Sequence, residues 1–259
     1  MITRRDLQRR AAVLGIDERH VELDYVLQHL LAQLARDPGG LIFRGGTALS
    51  RIYWPDFRIS EDLDFIGEGD LLDLRGQAER AVGRAAEEMG FDVGLDIAGW
   101  RDDRLRAAVT WSSALGRDGE LLIDVVRHQR AGLPPASLPL DLRYPDLEGE
   151  PVPAIPVLQL REILANKWLM LGDRDEPRDL FDLWWALARA GARFEDIAVA
   201  HRATYGYPPM SASMEHATRL ERGWRQGLEH QLRDLPPFRG AMDEVRRHFE
   251  AWRSSDGGS

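Results

Sequence analysis

One stretch restricts the fold of this chain more than any other: residues 43 to 65, Phe-Arg-Gly-Gly-Thr-Ala-Leu-Ser-Arg-Ile-Tyr-Trp-Pro-Asp-Phe-Arg-Ile-Ser-Glu-Asp-Leu-Asp-Phe. The apolar run Leu41-Ile42-Phe43 leads into Gly45-Gly46, and Thr47 to Tyr53 then has helical spacing of apolar residues. The chain returns about ten residues later as an acidic strand. Alternate strand residues face the same way, so Asp62 and Asp64 point together while Leu63 and Phe65 point into a core. Two like charges side by side are a poor way to stabilise a sheet. They suit Mg²⁺, which binds through one or two carboxylates plus substrate phosphates, with Mn²⁺ as the alternative. Gly45 and Gly46 let backbone N–H groups approach a phosphate chain, and the helix that follows favours an anion at its start.

A D-x-D pair or a Gly-Gly turn taken alone is common on solvated surfaces. The order and separation of the two carry the reading. A third carboxylate would complete a two-metal clamp, and Asp124 is the candidate, because it interrupts the apolar strand Leu121 to Val126, where an unpaired acid is costly. Asp92 and Asp96 are rivals on a weaker strand. Arg44 and Arg58 flank the motif as possible phosphate contacts, Arg58 being the better placed.

The segment resembles the nucleotidyltransferase-fold toxins of the AbiEii/AbiGii group, which include MenT-type toxins. The family pattern is close to F-K-G-G-T-A-L, a short helix, then R-x-S-E-D-L-D-F, and Arg44 stands here where Lys is usual. A second match runs Leu160-Arg161-Glu162-Ile163-Leu164-Ala165-Asn166-Lys167, followed by Arg178-Asp179-Leu180-Phe181-Asp182-Leu183. Asp24-Tyr25-Val26-Leu27 looks like the family's E-K-D-Y-V-L stretch, with Leu23 in place of its Lys. Together the matches span roughly residues 20 to 190.

The resemblance implies an α+β chain: a nucleotidyltransferase core of mixed sheet and helices, then an all-helical C-terminal domain. It implies transfer of a nucleoside monophosphate from an NTP to an acceptor hydroxyl, the 3′ end of tRNA, so that translation stops. The setting would be toxin–antitoxin or phage defence, with a cognate antitoxin as partner. In that scheme Asp62, Asp64 and Asp124 hold the metal, with Asp124 completing the clamp or acting as base. Gly45, Gly46, Thr47 and Lys167 cradle the triphosphate, Ser60 lies near the phosphates, and Arg178, Asp179 and Asp182 belong to the site. From spacing alone, Lys167 reads as a solvated helix residue and Arg178–Asp182 as an intrahelical i,i+4 pair. The rival enzymatic reading is nucleotide transfer to a protein or a small-molecule hydroxyl. A nucleotide-binding regulator without transfer is the rival of another class.

Spacing predicts helices over 3–14, 19–36, 47–53 and 71–89, and strands over 41–43, near 57–59, 62–66, 91–97, 105–111 and 121–126. A hairpin turn is expected at 116–119. Residues 132–156, rich in Pro and Gly, read as a long irregular connector. Helices follow over 157–172, 177–190, 194–203, 209–232 and 238–252. The expected domains are 1–150 for the core and 151–252 for the helical part, with a disordered tail at 253–259.

The chain is 259 residues with a net charge of −9, which does not favour a nucleic-acid partner through its overall field. Arg101, Arg104, Arg106, Arg117, Arg127, His128 and Arg130 cluster near the acidic strands, but interspersed acids make them read as ordinary solvated charges. With no cysteine, disulfides and thiolate metal sites are excluded. No apolar run approaches the roughly 20 residues of a membrane span and no leader is evident, so a cytoplasmic location is expected.

Overall fold

The computed structural model describes residues 2–55, 57–101, 104–112, 116, 118–127, 129–147, 151–232 and 234–255. The chain divides into two compact units, Met1–Ala131 with Pro135–Leu158, and Gly132–Pro134 with Gln159–Ser259.

The first unit is built on a seven-stranded mixed sheet. Its strands are β1 (Leu41–Arg44), β2 (Asp62–Gly67), β3 (Asp92–Arg101), β4 (Arg104–Ser112), β5 (Asp118–Val126), β6 (Ala136–Pro139) and β7 (Ala154–Val157). Their spatial order is β3-β4-β5-β2-β1-β7-β6. The pairs β2/β5 and β1/β7 are parallel, and the other pairs are antiparallel. Alternation decides the two faces. Leu63 and Phe65 of β2, Leu105, Ala107 and Val109 of β4, and Leu121, Ile123 and Val125 of β5 are all buried. The intervening residues are partly or fully exposed.

Helices α1 (Arg4–Leu14), α2 (Glu18–Arg36) and α4 (Leu71–Met89) complete this unit, with α2 and α4 packed on each other and on the sheet. Helix α4 begins where the Asp70 carboxylate caps the Leu72 N–H at 2.8 Å and ends at Gly90 in the left-handed conformation. Its buried Leu74, Ala78, Ala81, Val82, Ala85 and Met89 form one stripe, each large side chain contributing about 1.5–3 kcal/mol.

Three local expectations need correction. Residues 57–59 are not a strand; Phe57 and Arg58 are buried in an irregular segment. The Pro-rich connector contributes β6 and β7, because β1 offers an open edge: Phe43 pairs with Val157, and the Leu158 N–H donates to the Phe43 carbonyl at 3.0 Å. Pro139 sits at the end of the edge strand β6, where its missing N–H costs no ladder bond. The helix after the glycines is a short α3 (Gly45–Ala48) that widens into a π-helical turn, Leu49–Tyr53. At the expected hairpin, position 117 lies outside the described residues; the strands pair from Ser112↔Asp118 inward.

The second unit is helical: α5 (Leu160–Asp173), α6 (Pro177–Ala188), α7 (Phe194–Tyr205), α8 (Ala212–Ala217), α9 (Trp224–Leu228) and α10 (Phe238–Ser255). The expected helix over 209–232 is instead α8, a 3₁₀ turn at Thr218–Arg222 and α9. The core is aromatic, with Trp168 stacked on Phe249 at 4.9 Å and edge-on to Phe194 at 4.8 Å. Buried Glu162 accepts N–H groups from Gly132 (2.7 Å) and Leu133 (3.1 Å), which ties that segment to this unit; burial raises its pKa. Helix α10 runs through Ser255, so the expected tail is helical at 253–255, and 256–259 lie outside the described residues. Among the described residues, no helix is long and apolar enough to cross a membrane.

Candidate active site

Strand register assembles the acids. In the parallel pair β2/β5, Asp64 lies directly beside Asp124, and Leu63 and Phe65 lie beside Ile123 and Val125. The apolar neighbours fix which face is inside, so Asp62, Asp64 and Asp124 share the opposite, partly exposed face. The row continues on both sides: Arg44 of β1 pairs with Asp64, and Arg106 of β4 pairs with Asp124. One line across four strands therefore reads Arg44, Asp64, Asp124, Arg106.

The glycine turn lies against this row. Gly45 has φ +79°, and a Cβ there would stand 2.4 Å from Asp64 Oδ2. At Gly46 a Cβ would meet the Arg58 Nη2 at 2.4 Å and the Ser60 Oγ at 3.1 Å. Arg58 and Ser60 are each 7% exposed, so both hold their polar groups close under the turn. The Thr47 hydroxyl donates to the Asp62 carbonyl, joining the helix start to the acidic strand. Arg44 donates to the Gln129 side chain. The turn is held from behind by a buried network. Arg51, on the π-helical turn, pairs with Asp24, which also accepts from Gln28 (2.8 Å) and the Tyr144 hydroxyl (3.0 Å).

The carboxylate Asp124 is not left to water. The Arg104 guanidinium takes it with two hydrogen bonds, the Nε donating to Oδ1 at 2.7 Å and Nη2 to Oδ2, while Arg106 Nη2 lies 3.7 Å away. Both arginines are about half exposed, at 46% and 49%, whereas the Asp124 side chain is 14% exposed. Sequence reading set these arginines aside as solvated charges. A signal existed in the alternation of β4, but only the register of the β4/β5 hairpin tells which of them meets an acid. Of the other basic positions, Arg117 and His128 lie outside the described residues.

A hard divalent cation fits the first unit's acid set. The donors would be carboxylate oxygens alone, from one face of two adjacent strands though not drawn together at ligating distance, and the wall facing Asp64 is a glycine whose side chain would fill the space.

In the second unit, Lys167, Asp179 and Asp182 form a closed cluster. Lys167 Nζ is 2.9 Å from Asp179 Oδ1 and 2.9 Å from Asp182 Oδ2, with both acids fully buried. Arg174 adds hydrogen bonds to Asp179 at 2.8 and 3.1 Å. Lys167 is thus buried at 8% exposure, not a solvated helix residue, and a buried lysine is tolerable because two carboxylates face it. Arg178 pairs with Glu176 at 3.1 Å.

Comparison with known proteins adds an independent finding. The model of the family described as "Nucleotidyl transferase AbiEii toxin, Type IV TA system" matches residues 27–253. Among solved structures, MenT4, a nucleotidyltransferase toxin from Mycobacterium tuberculosis, is similar at TM-score 0.70 and 21% identity, over 96% of this chain and 89% of its own. JHP933 from Helicobacter pylori is similar at TM-score 0.60 and 16% identity, over 93% of this chain and 98% of its own. At these identities the two likenesses speak for the fold. No curated protein matches the sequence.

Proposed function

This chain belongs to the nucleotidyl transferase AbiEii toxin family of type IV toxin–antitoxin systems and is a nucleotidyltransferase; we propose that it moves a nucleoside monophosphate from an NTP to the 3′ hydroxyl of an RNA, that of tRNA. The observation that carries the reading is the register that sets Asp64 beside Asp124, with Asp62 on the same face and the Gly45–Gly46 turn against it. Asp62, Asp64 and Asp124 would hold Mg²⁺, or Mn²⁺. Such an ion, when bound, supplies positive charge to the phosphates and lowers the pKa of an oxygen nucleophile.

The chain's own residues do the rest. Backbone N–H groups of Gly45, Gly46 and Thr47 present a phosphate-binding concavity, where a Cβ at either glycine would intrude. Arg58 and Ser60, packed against Gly46, offer the phosphates a guanidinium and a hydroxyl. Arg44 of β1, the register partner of Asp64 on β2, tempers the repulsion among the acids. In the transfer, the acceptor oxygen bonds to the α-phosphorus, the α–β anhydride bond breaks, pyrophosphate leaves, and the hydroxyl proton passes to a carboxylate of this set, Asp124 being our choice. Lys167, its ammonium group held by Asp179 and Asp182, is assigned to the nucleotide on family resemblance. Arg178 is grouped with it on family resemblance.

Support for an RNA acceptor comes from Arg106, a half-exposed cation beside the acids on a chain whose overall charge is −9. Blocked tRNA would halt translation, which places the activity in the cytoplasm, opposes it to a cognate antitoxin, and fits a role in phage defence. The test incubates purified chain with each α-labelled NTP and total RNA or protein. Labelled tRNA 3′ ends, lost in Asp64→Asn, are expected; labelled protein with clean RNA would overturn the acceptor, and no transfer to anything would overturn the proposal.

A further inference from the structure

Asp124 has a partner whose geometry resembles that of a ligand. Its side chain is 14% exposed, while the guanidinium that holds it is about half in solvent. Arg106, directly opposite in register, stays at 3.7 Å, while Arg104, whose register partner is Val126, reaches diagonally to take both oxygens. Diagonal neighbours on a sheet are within reach of long side chains, but a straight partner is nearer. Arg104 therefore leans toward the point where charge is most negative, the side-by-side carboxylates of Asp64 and Asp124.

We propose that Arg104 is a built-in, exchangeable counter-ion: it holds Asp124 when no divalent cation is present, and gives way as a cation takes up the Asp124 carboxylate. The proposal rests on the acid-face reading given above. Three features support exchange over a permanent pair. Both Asp124 oxygens accept from the guanidinium, so this pairing competes with a cation for the carboxylate's charge and lone pairs. Arg104 is 46% exposed, so its release costs little solvation. Nearby Arg106 can share the field without moving, which keeps the row from being left uncompensated. Pairing has a use of its own: two unneutralised acids in register would repel and loosen the β2/β5 pair. Arg104 is thus a positioning residue, acting through Asp124 rather than on substrate.

The test reads metal binding directly, by Mn²⁺ titration followed by electron paramagnetic resonance or calorimetry, on the full chain without nucleotide. Arg104→Ala removes the competitor and is expected to bind Mn²⁺ about fivefold more tightly than wild type. Arg106→Ala removes the same charge without freeing a ligand oxygen, and the expected gain is about twofold or less. Arg104→Lys, which cannot pair through two nitrogens, should fall between wild type and Arg104→Ala. Equal gains for the two alanine variants, or no gain for Arg104→Ala, overturn the exchange. Asp62→Asn separates the two layers. If Mn²⁺ binding survives unchanged in Asp62→Asn, the acid-face reading has failed; if it is lost there while Arg104→Ala matches wild type, only the exchange has failed.

Discussion

Two acid clusters among the described residues have opposite character. On the sheet, Asp62, Asp64 and Asp124 lie on a partly exposed face, and the arginines pairing with Asp124 are half in water. In the helical unit, Asp179 and Asp182 are fully buried around Lys167, with Arg174 sealing one side. Both clusters gather like charges, yet only the helical one holds a counter-ion, Lys167, out of solvent; its Arg174 is half exposed like the sheet's arginines. A buried carboxylate whose cation is also buried cannot change partners without exposing an uncompensated charge. A half-exposed one can. The first arrangement fixes a lysine in place; the second leaves oxygen atoms available for chemistry.

The contrast can be broken most decisively at Asp64. Asp64→Asn should lower nucleotidyl transfer about 10³-fold, the scale of losing one electrostatic contact at a reaction centre. Its melting temperature should stay within about 2 °C of wild type, since the change removes repulsion from an open face. Lys167→Met is the converse. It removes the buried cation that Asp179 and Asp182 share, leaving Arg174 on Asp179, so stability should fall by about 3 kcal/mol and the melting temperature by about 10 °C in calorimetry. A Lys167→Met protein that melts with wild type would erase the distinction between the clusters.

Gly45→Ala sharpens the sheet side. Its φ of +79° disfavours any side chain, and the new Cβ would press on Asp64 Oδ2. Displacing that carboxylate should reduce transfer about a hundredfold, measured as kcat at saturating NTP. If only KM rises, the turn contacts nucleotide without setting the acid.

The smallest expected effect is a pH dependence of stability. His201 in the helical unit and His29 in the sheet unit are both buried, and burial lowers the pKa of each below its ordinary 6.5. Carboxylates of Asp146 and Glu88, each 3.5 Å from the ring, oppose that shift for His29; the Tyr207 carbonyl does so for His201. As pH falls below 6.5 the unfolded chain takes up protons that the folded one refuses, so stability declines until the depressed folded pKa is reached. His201→Gln should flatten the fall in melting temperature between pH 7.5 and 5.5. An unaltered slope in that variant would assign the acid sensitivity elsewhere.

Much of the candidate site's geometry was legible in local pattern. The two-residue period of a strand put Asp62 and Asp64 on one face, and the same period, applied to β5, singled out Asp124 as an acid in an apolar run. Caps and glycine marked α4 at both ends, from Asp70 to Gly90. Residues that work through distant pairing were not legible. Arg104 and Arg106 looked like ordinary charges, and Lys167 like a solvated one, because nothing within a few residues of each reveals its partner. The Pro-rich stretch looked irregular because its two short strands exist only where β1 offers an edge to pair with.

Sequence by itself determined the side-chain periods, the helix ends and the order of glycine turn, helix and acidic strand, since each is set by sterics and hydrogen bonds among near neighbours. Tertiary structure alone decided that Asp64 meets Asp124, that Arg104 rather than Arg106 takes its carboxylate, and that a lysine is buried between two aspartates. Strand register and helix packing are chosen by the whole buried face at once, and shifting a pairing by one residue would turn every acid to the other side of the sheet.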